Sequence, residues 1–419
     1  MSDSHIASSP PSRRGLIVAL LVIAVVALGL VWWKAGQSNR ARATLVETYG
    51  AEINEIEGAL DVVLRSQDLT DLSPVVPLLR TLGQVKVLGV SECSKLESFQ
   101  GVSDLPMLEA ITANGAVSLH SLEGLAGLPR LSEVSAPECP NLVSLSGLRD
   151  LPALEILDLS DSPKLTDTSA LSGLPNLRNL YLANAASLVD LDVSGLVQLE
   201  QLDASGCGKL AHLTGVEQTV LKDLFLNTCH GLESVPKLGD VKTLVSLQLR
   251  NCPVGENLAA LQGLGGLGNL VIGGVAGPAD LGLLAPLTNL QELHIEGASE
   301  LASLKGLAAP GLTYLSVTHC PKLTSVDGVA SLKALEHLDV SKNAALNNLT
   351  DLMSHPAIVQ LNLTGCKSVT DASVLAGLKQ LGLLEMGGSG IPRPQVSTLK
   401  IALPELIIDL SGSSSAGPE

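Results

Sequence analysis

The chain has 419 residues, 46% of them hydrophobic but only seven aromatic, and a formal net charge of −16 at pH 7. Beyond residue 43 it carries 21 basic and 41 acidic groups; such a balance repels polyanions, so no nucleic acid is expected as a direct ligand. Length alone would suggest two or three globular domains, unless internal repetition replaces them with one array.

In chain order, residues 1–14 are polar, contain Ser and Pro, and read as a disordered N-terminal tail. Gly15 to Trp33 is nineteen residues without a charge, closed by Trp32 and Trp33, which predicts a transmembrane helix acting as an uncleaved signal anchor. A cleaved signal peptide is the competing reading, but its apolar core is usually shorter and Ala41-Arg42-Ala43 lies far beyond the stretch. The expectation is a single-pass membrane protein with its body exported; the alternative has the body facing the cytoplasm, because Arg13 and Arg14 are balanced by Lys34, Arg40 and Arg42.

Residues 34–43 read as a juxtamembrane linker and 44–84 as a helical N-terminal cap with half a repeat. Thr44 and Glu47 have the spacing of a capping box, and Leu45, Tyr49, Ile53, Ile56, Leu60 and Val63 recur every three or four residues, predicting a helix over 44–66. The same stripe could serve a dimerisation seam, so a homo-oligomer is a possible partner state.

From residue 85 the sequence repeats. Units start at Val85, Leu108, Leu131, Leu154, Leu177, Leu199, Leu221, Leu244, Leu267, Leu290, Leu312, Leu335, Ile358 and Leu381, every 22 or 23 residues, followed by a partial strand over 406–410. Apolar side chains at positions four and six point to one face of a short strand. The second half of each unit has three-residue spacing, which suits turns and 3₁₀ pieces. One unit cannot bury its own leucines, so the units must stack into a rod with a continuous core. At ~4.8 Å per strand, fourteen units make an inner face on the order of 65 Å long. Residues 411–419 read as a flexible tail.

With its L-x-x-L-x-L-x-x-N/C-x-L pattern in nearly every unit, the array over 85–410 resembles the leucine-rich repeat family. The short repeat resembles bacterial internalin-type arrays in particular. The resemblance implies an α/β repeat solenoid, a leucine-rich-repeat horseshoe with a parallel sheet on its concave side, and protein–protein recognition. It also implies a buried ladder at position nine, where all seven cysteines fall: Cys93, Cys139, Cys207, Cys229, Cys252, Cys320 and Cys366, with Asn343 in the twelfth unit. No C-x-x-C or paired Cys/His spacing is present, so zinc is not expected, and side chains of a ladder run parallel rather than facing each other for disulfides.

Position five is the middle of the exposed strand face. His294, Ser316 and Asp339 occupy it in three consecutive units, but a hydrolytic triad needs its histidine between serine and carboxylate. No nucleophile elbow accompanies them, and no enzyme activity or cofactor is expected. Gly263, Gly265 and Gly268 match G-x-G-x-x-G, yet they precede a strand instead of following one. His294, Glu296, His319, His337 and Asp339 could gather as a metal or pH-responsive patch, but exposed histidines are more often solvated, and no metal is expected.

The scarce aromatics are more informative. Tyr181, Phe225 and Tyr314 fall at positions five, five and three of the exposed face, where aromatics mark binding hot spots or pack on their cross-strand neighbours. The expected binding residues are Tyr181, Asp203, Phe225 and Gln248, with a second patch at His294, Tyr314 and His337. The function expected is capture of a protein partner with a basic or mixed surface by a membrane-anchored array. The alternatives are an envelope scaffold without a specific ligand and, last, an adhesin-type surface binder, since residues 411–419 hold no wall-sorting signal.

Overall fold

The computed structural model describes residues 13–233, 238–253, 255–274 and 277–411. The expected tails fall mostly outside these residues, as does Val275, the position-nine residue of the ninth unit. Seventeen strands form one sheet. Its first two strands, Glu52–Ile56 and Ala59–Val63, pair antiparallel; every later neighbour is parallel, from Val85–Gly89 to Ile407–Asp409.

The register follows the leucine spacing. Leu157, Leu180 and Leu202, at position four of successive units, are mutual partners and fully buried. Position five between the two buried columns stays half exposed in most units, with Gly89, Val271 and Asn362 buried. Short 3₁₀ segments, such as Ser169–Gly173, Val329–Ser331 and Ser373–Gly377, fill the second half of many units. A left-handed residue recurs at position eight, as at Asp161, Asn184, Thr228 and Lys342, and it turns the chain so that position nine points inward. A second reversal falls at position seventeen: Gly147 has φ 108°, and a Cβ there would lie 2.2 Å from the Leu122 carbonyl oxygen. Only glycine fits that approach.

The transmembrane assignment is corrected. Among the described residues no helix is long and apolar enough to cross a membrane. The stretch lies in helix α1 (Arg13–Tyr49), which runs on through the polar residues 34–49 without the expected linker. The single-pass membrane location, and the export built on it, fall with that helix.

The predicted helix over 44–66 is also replaced. Gly50, with φ 61°, ends α1, and Thr44 is no cap: its hydroxyl donates to the Arg40 carbonyl inside the helix at 3.0 Å. Glu57 and Gly58 both have positive φ (52° and 79°), the backbone of a two-residue hairpin turn. Residues 59–63 then alternate, burying Leu60 and Val62. The three-to-four spacing of apolar residues was shared by a helical stripe and a hairpin with one buried face, and the turn decided. Leu45 of α1 packs into the same core as Val76 and Leu79 of helix α2 (Val76–Leu82), covering the first units. At the other end helix α3 (Arg393–Ala402) buries Leu399 and leads into the last strand.

Candidate functional site

The position-nine cysteines and Asn343 line the core. All seven cysteines are free and fully buried. Six units use this position to satisfy a position-six carbonyl of the unit before: Cys207 Sγ donates to Leu182 O at 3.2 Å, Cys229 to Ala204 O at 3.1 Å and Cys366 to Val340 O at 3.0 Å. Asn343 does the same with Nδ2 on Val317 O (2.6 Å), adds Val340 O (2.8 Å), and accepts from the Cys320 amide (2.7 Å). Burial pushes the thiols of Cys139, Cys320 and Cys366 up to about 11 and Cys207 up to about 12. Cys252 and burial together push the Cys229 thiol up as well. These five stay protonated at neutral pH, whereas the hydrogen bond with Cys229 holds the Cys252 thiol below its ordinary value.

The strand face has two parts. In the first, Tyr181, Asp203, Phe225 and Gln248 are register partners in one row across four adjacent strands. The Tyr181 hydroxyl donates to Gln201 Oε1 at 3.1 Å, and Gln248 accepts from Asn227 at 2.8 Å. Asp203 spends one oxygen on the Ser205 amide at 2.8 Å. The same pin recurs at Asp158, Asp339, Asn362 and Asp409, each accepting from the backbone N–H two residues on. It fixes position-five carboxylates at the strand end. Alongside this row, position two carries a charge ladder: Lys86 reaches Glu109 at 2.8 Å, and Glu200 is held by both Arg178 and Lys222. Those two cations keep the Glu200 carboxyl below its usual range, the Lys222 hydrogen bond contributing most.

In the second part, His294 stacks on Tyr314 with ring centroids 4.9 Å apart, and Tyr314 on His337 at 6.0 Å, both with interplanar angles near 29° (28° and 29°). The column crosses from position five to position three, so the three residues are neighbours in space although they sit in different sequence columns. His337 Nδ1 lies 2.9 Å from Gln360 Oε1. Burial holds His294 below the ordinary imidazole range and raises the Tyr314 hydroxyl, with Asp339, Glu292 and Glu385 adding to the latter. Arg250 reaches over Gly273 to Glu296 at 3.3 Å, and His319 stands 3.7 Å from the same carboxylate. Among the described residues His294, Ser316 and Asp339 make no hydrogen bond with one another, and no group of three or more His, Cys, Asp or Glu could hold a metal ion.

Sequence reasoning named the three rings but not their contact, nor the carboxylates around them. The available signal was the joint pattern of columns two, three, five and seven: from Gln291 to Gly387 these hold five carboxylates and no lysine or arginine. The earlier units hold Lys86, Arg178, Lys222 and Arg250 there.

Fold and register together define a leucine-rich-repeat solenoid. The same fold is found in an internalin of Listeria monocytogenes, 20% identical, with 91% of this chain and 95% of that one covered and a TM-score of 0.50. It is also found in a leucine-rich-repeat protein of Leptospira interrogans, again 20% identical, covering 82% and 95% at a TM-score of 0.50. At such identities the likeness shows the fold. A disease resistance protein of Arabidopsis thaliana, RPP4, is 27% identical over 208 residues, 45% of this chain, which spans only 17% of that protein's length. No family model matches the chain.

Proposed function

We propose that the solenoid captures a protein partner on its strand face. The observation that carries this is the placement of rare aromatics. Tyr181, Phe225 and Tyr314 stand half exposed among polar neighbours on the strands, whereas Phe99 is the aromatic that fills the core. Large, rigid side chains with few rotamers give contact area at low entropic cost, which is why they concentrate in binding centres. The excess of acid over base suits a partner with a basic or mixed surface. A core role would bury these rings, and a catalytic role would need hydrogen-bonded acid–base pairs, which His294, Ser316 and Asp339 do not make.

The test is the double variant Tyr181→Ala/Phe225→Ala. Partner capture by the purified chain should drop while the melting temperature changes little, since both rings lie on the surface. Unchanged capture by a folded double variant would remove the first patch from the site.

A further inference from the structure

The two halves of the strand face differ in a way that selects a ligand. In the first half the position-two acids Glu109 and Glu200 are paired with cations of neighbouring units. From the tenth unit on, the face has carboxylates and a triple ring stack but no lysine or arginine. In its position-five row the small residue is Ser316, whose register partners are His294 on one side and Asp339 on the other, with Tyr314 two residues before it on the same strand. Ser316 is thus the shortest side chain of its row, set between the His294–Tyr314 stack and Asp339, a low point that can act as a recess. The Asp339 carboxylate is already oriented: Oδ1 accepts the Ser341 amide at 2.8 Å, and Oδ2 has no partner among the described residues. Glu292, opposite Tyr314, is likewise held, accepting from Asn269 at 3.0 Å.

We propose that this recess seats an arginine side chain of an extended basic segment of the partner, with Asp339 receiving the guanidinium and the rings of Tyr314 and His294 packing its aliphatic stem. Arginine fits better than lysine because a planar fork can reach a fixed carboxylate while its stem lies along apolar ring surface. The charge pattern supplies the direction: a basic segment is attracted to this half, where Arg250 occupies Glu296 but not Asp339. The inference rests on the strand face being the binding surface and adds where, and to what chemistry, it binds.

The experiment uses the full chain and three synthetic dodecapeptides, alternating Ser with Arg, Lys or Glu, in fluorescence anisotropy at low salt. The arginine peptide should bind, the lysine peptide more weakly and the glutamate peptide not at all. Asp339→Asn and Ser316→Phe, which fills the recess, should each weaken the arginine peptide about tenfold. Tyr314→Phe should stay within about threefold of the parent and Tyr314→Ala should not. Equal affinity for arginine and glutamate peptides, or Ser316→Phe binding as the parent does with an unchanged melt, would overturn the proposal. If the arginine peptide fails to bind while Tyr181→Ala/Phe225→Ala still lowers partner capture, the recess is refuted and the strand-face function stands.

Discussion

Asn343 offers the sharpest test of the ladder. It is fully buried and its amide makes three backbone hydrogen bonds, to Val317 O, Val340 O and from the Cys320 amide. In Asn343→Ala, Val340 O keeps the Cys366 thiol as a donor at 3.0 Å, but Val317 O and the Cys320 N–H lose their partners. Two orphaned buried groups at roughly 1–3 kcal/mol each put the loss at about 4 kcal/mol. Asn343→Cys should cost about 2 kcal/mol. A thiol there can donate to Val317 O as Cys366 does to Val340 O, which leaves the Cys320 amide as the one orphan. Urea unfolding gives the totals, and amide exchange at Cys320 shows whether the defect stays in its own units, as a one-dimensional array allows. An alanine variant within 1 kcal/mol of the parent, or a cysteine variant as damaged as alanine, would refute the reasoning.

Gly147→Ala should destabilise by at least about 2 kcal/mol in the same assay, because it strains a left-handed backbone and drives a methyl into the Leu122 carbonyl. Acid should weaken the fold through two histidines that burial holds below 6.5, His294 and His355. The latter donates Nε2–H to Leu332 O at 3.0 Å and accepts the Ala357 amide at 3.4 Å, so it is packed neutral. The unfolded chain binds protons that the native one refuses, so this contribution is complete above about pH 6.5 and is lost as pH falls below it. Urea midpoints at pH 7.5 and 5.5 should differ in the parent and converge in His294→Asn/His355→Asn; an equal drop in both would remove the histidines from the explanation. Cys139, Cys207, Cys320 and Cys366 should resist a maleimide at pH 8 in the native chain, where a thiol near 11 is ionised to only about one part in a thousand. All seven cysteines should react in urea, and rapid native labelling of those four would contradict their burial.

The array was legible because leucine spacing carries both period and direction: one side chain in the wrong phase would expose a leucine, so Leu157, Leu180 and Leu202 could be placed from sequence. The ends were not. At residues 44–66 one apolar pattern fits two structures, and the outcome turned on the backbone of Glu57 and Gly58. Helix α3 was missed because Pro392 and Pro394 interrupt the repeat just where a new element starts. The apolar stretch at 15–33 suggested a span from hydropathy alone, without showing that the helix continues into polar residues. At the site, the columns identified Tyr181, Phe225 and Tyr314, but the stack of His294, Tyr314 and His337 depends on side-chain directions that cross two columns. The pins on Asp203 and Asp339 were readable as an acid followed two residues later by serine, a local turn signal easily hidden inside a strand pattern.

The central claim is that the strand face, and not the 3₁₀ side, meets the partner. It is tested most directly by photo-crosslinking from p-benzoylphenylalanine placed either at Gln248, the member of the first patch nearest the second, or at Ser172, exposed in the Ser169–Gly173 turn, in cells that make the protein. The account predicts a discrete adduct from position 248 that disappears in the Tyr181→Ala/Phe225→Ala background, and none from position 172. An adduct from position 172 with none from 248 would contradict it.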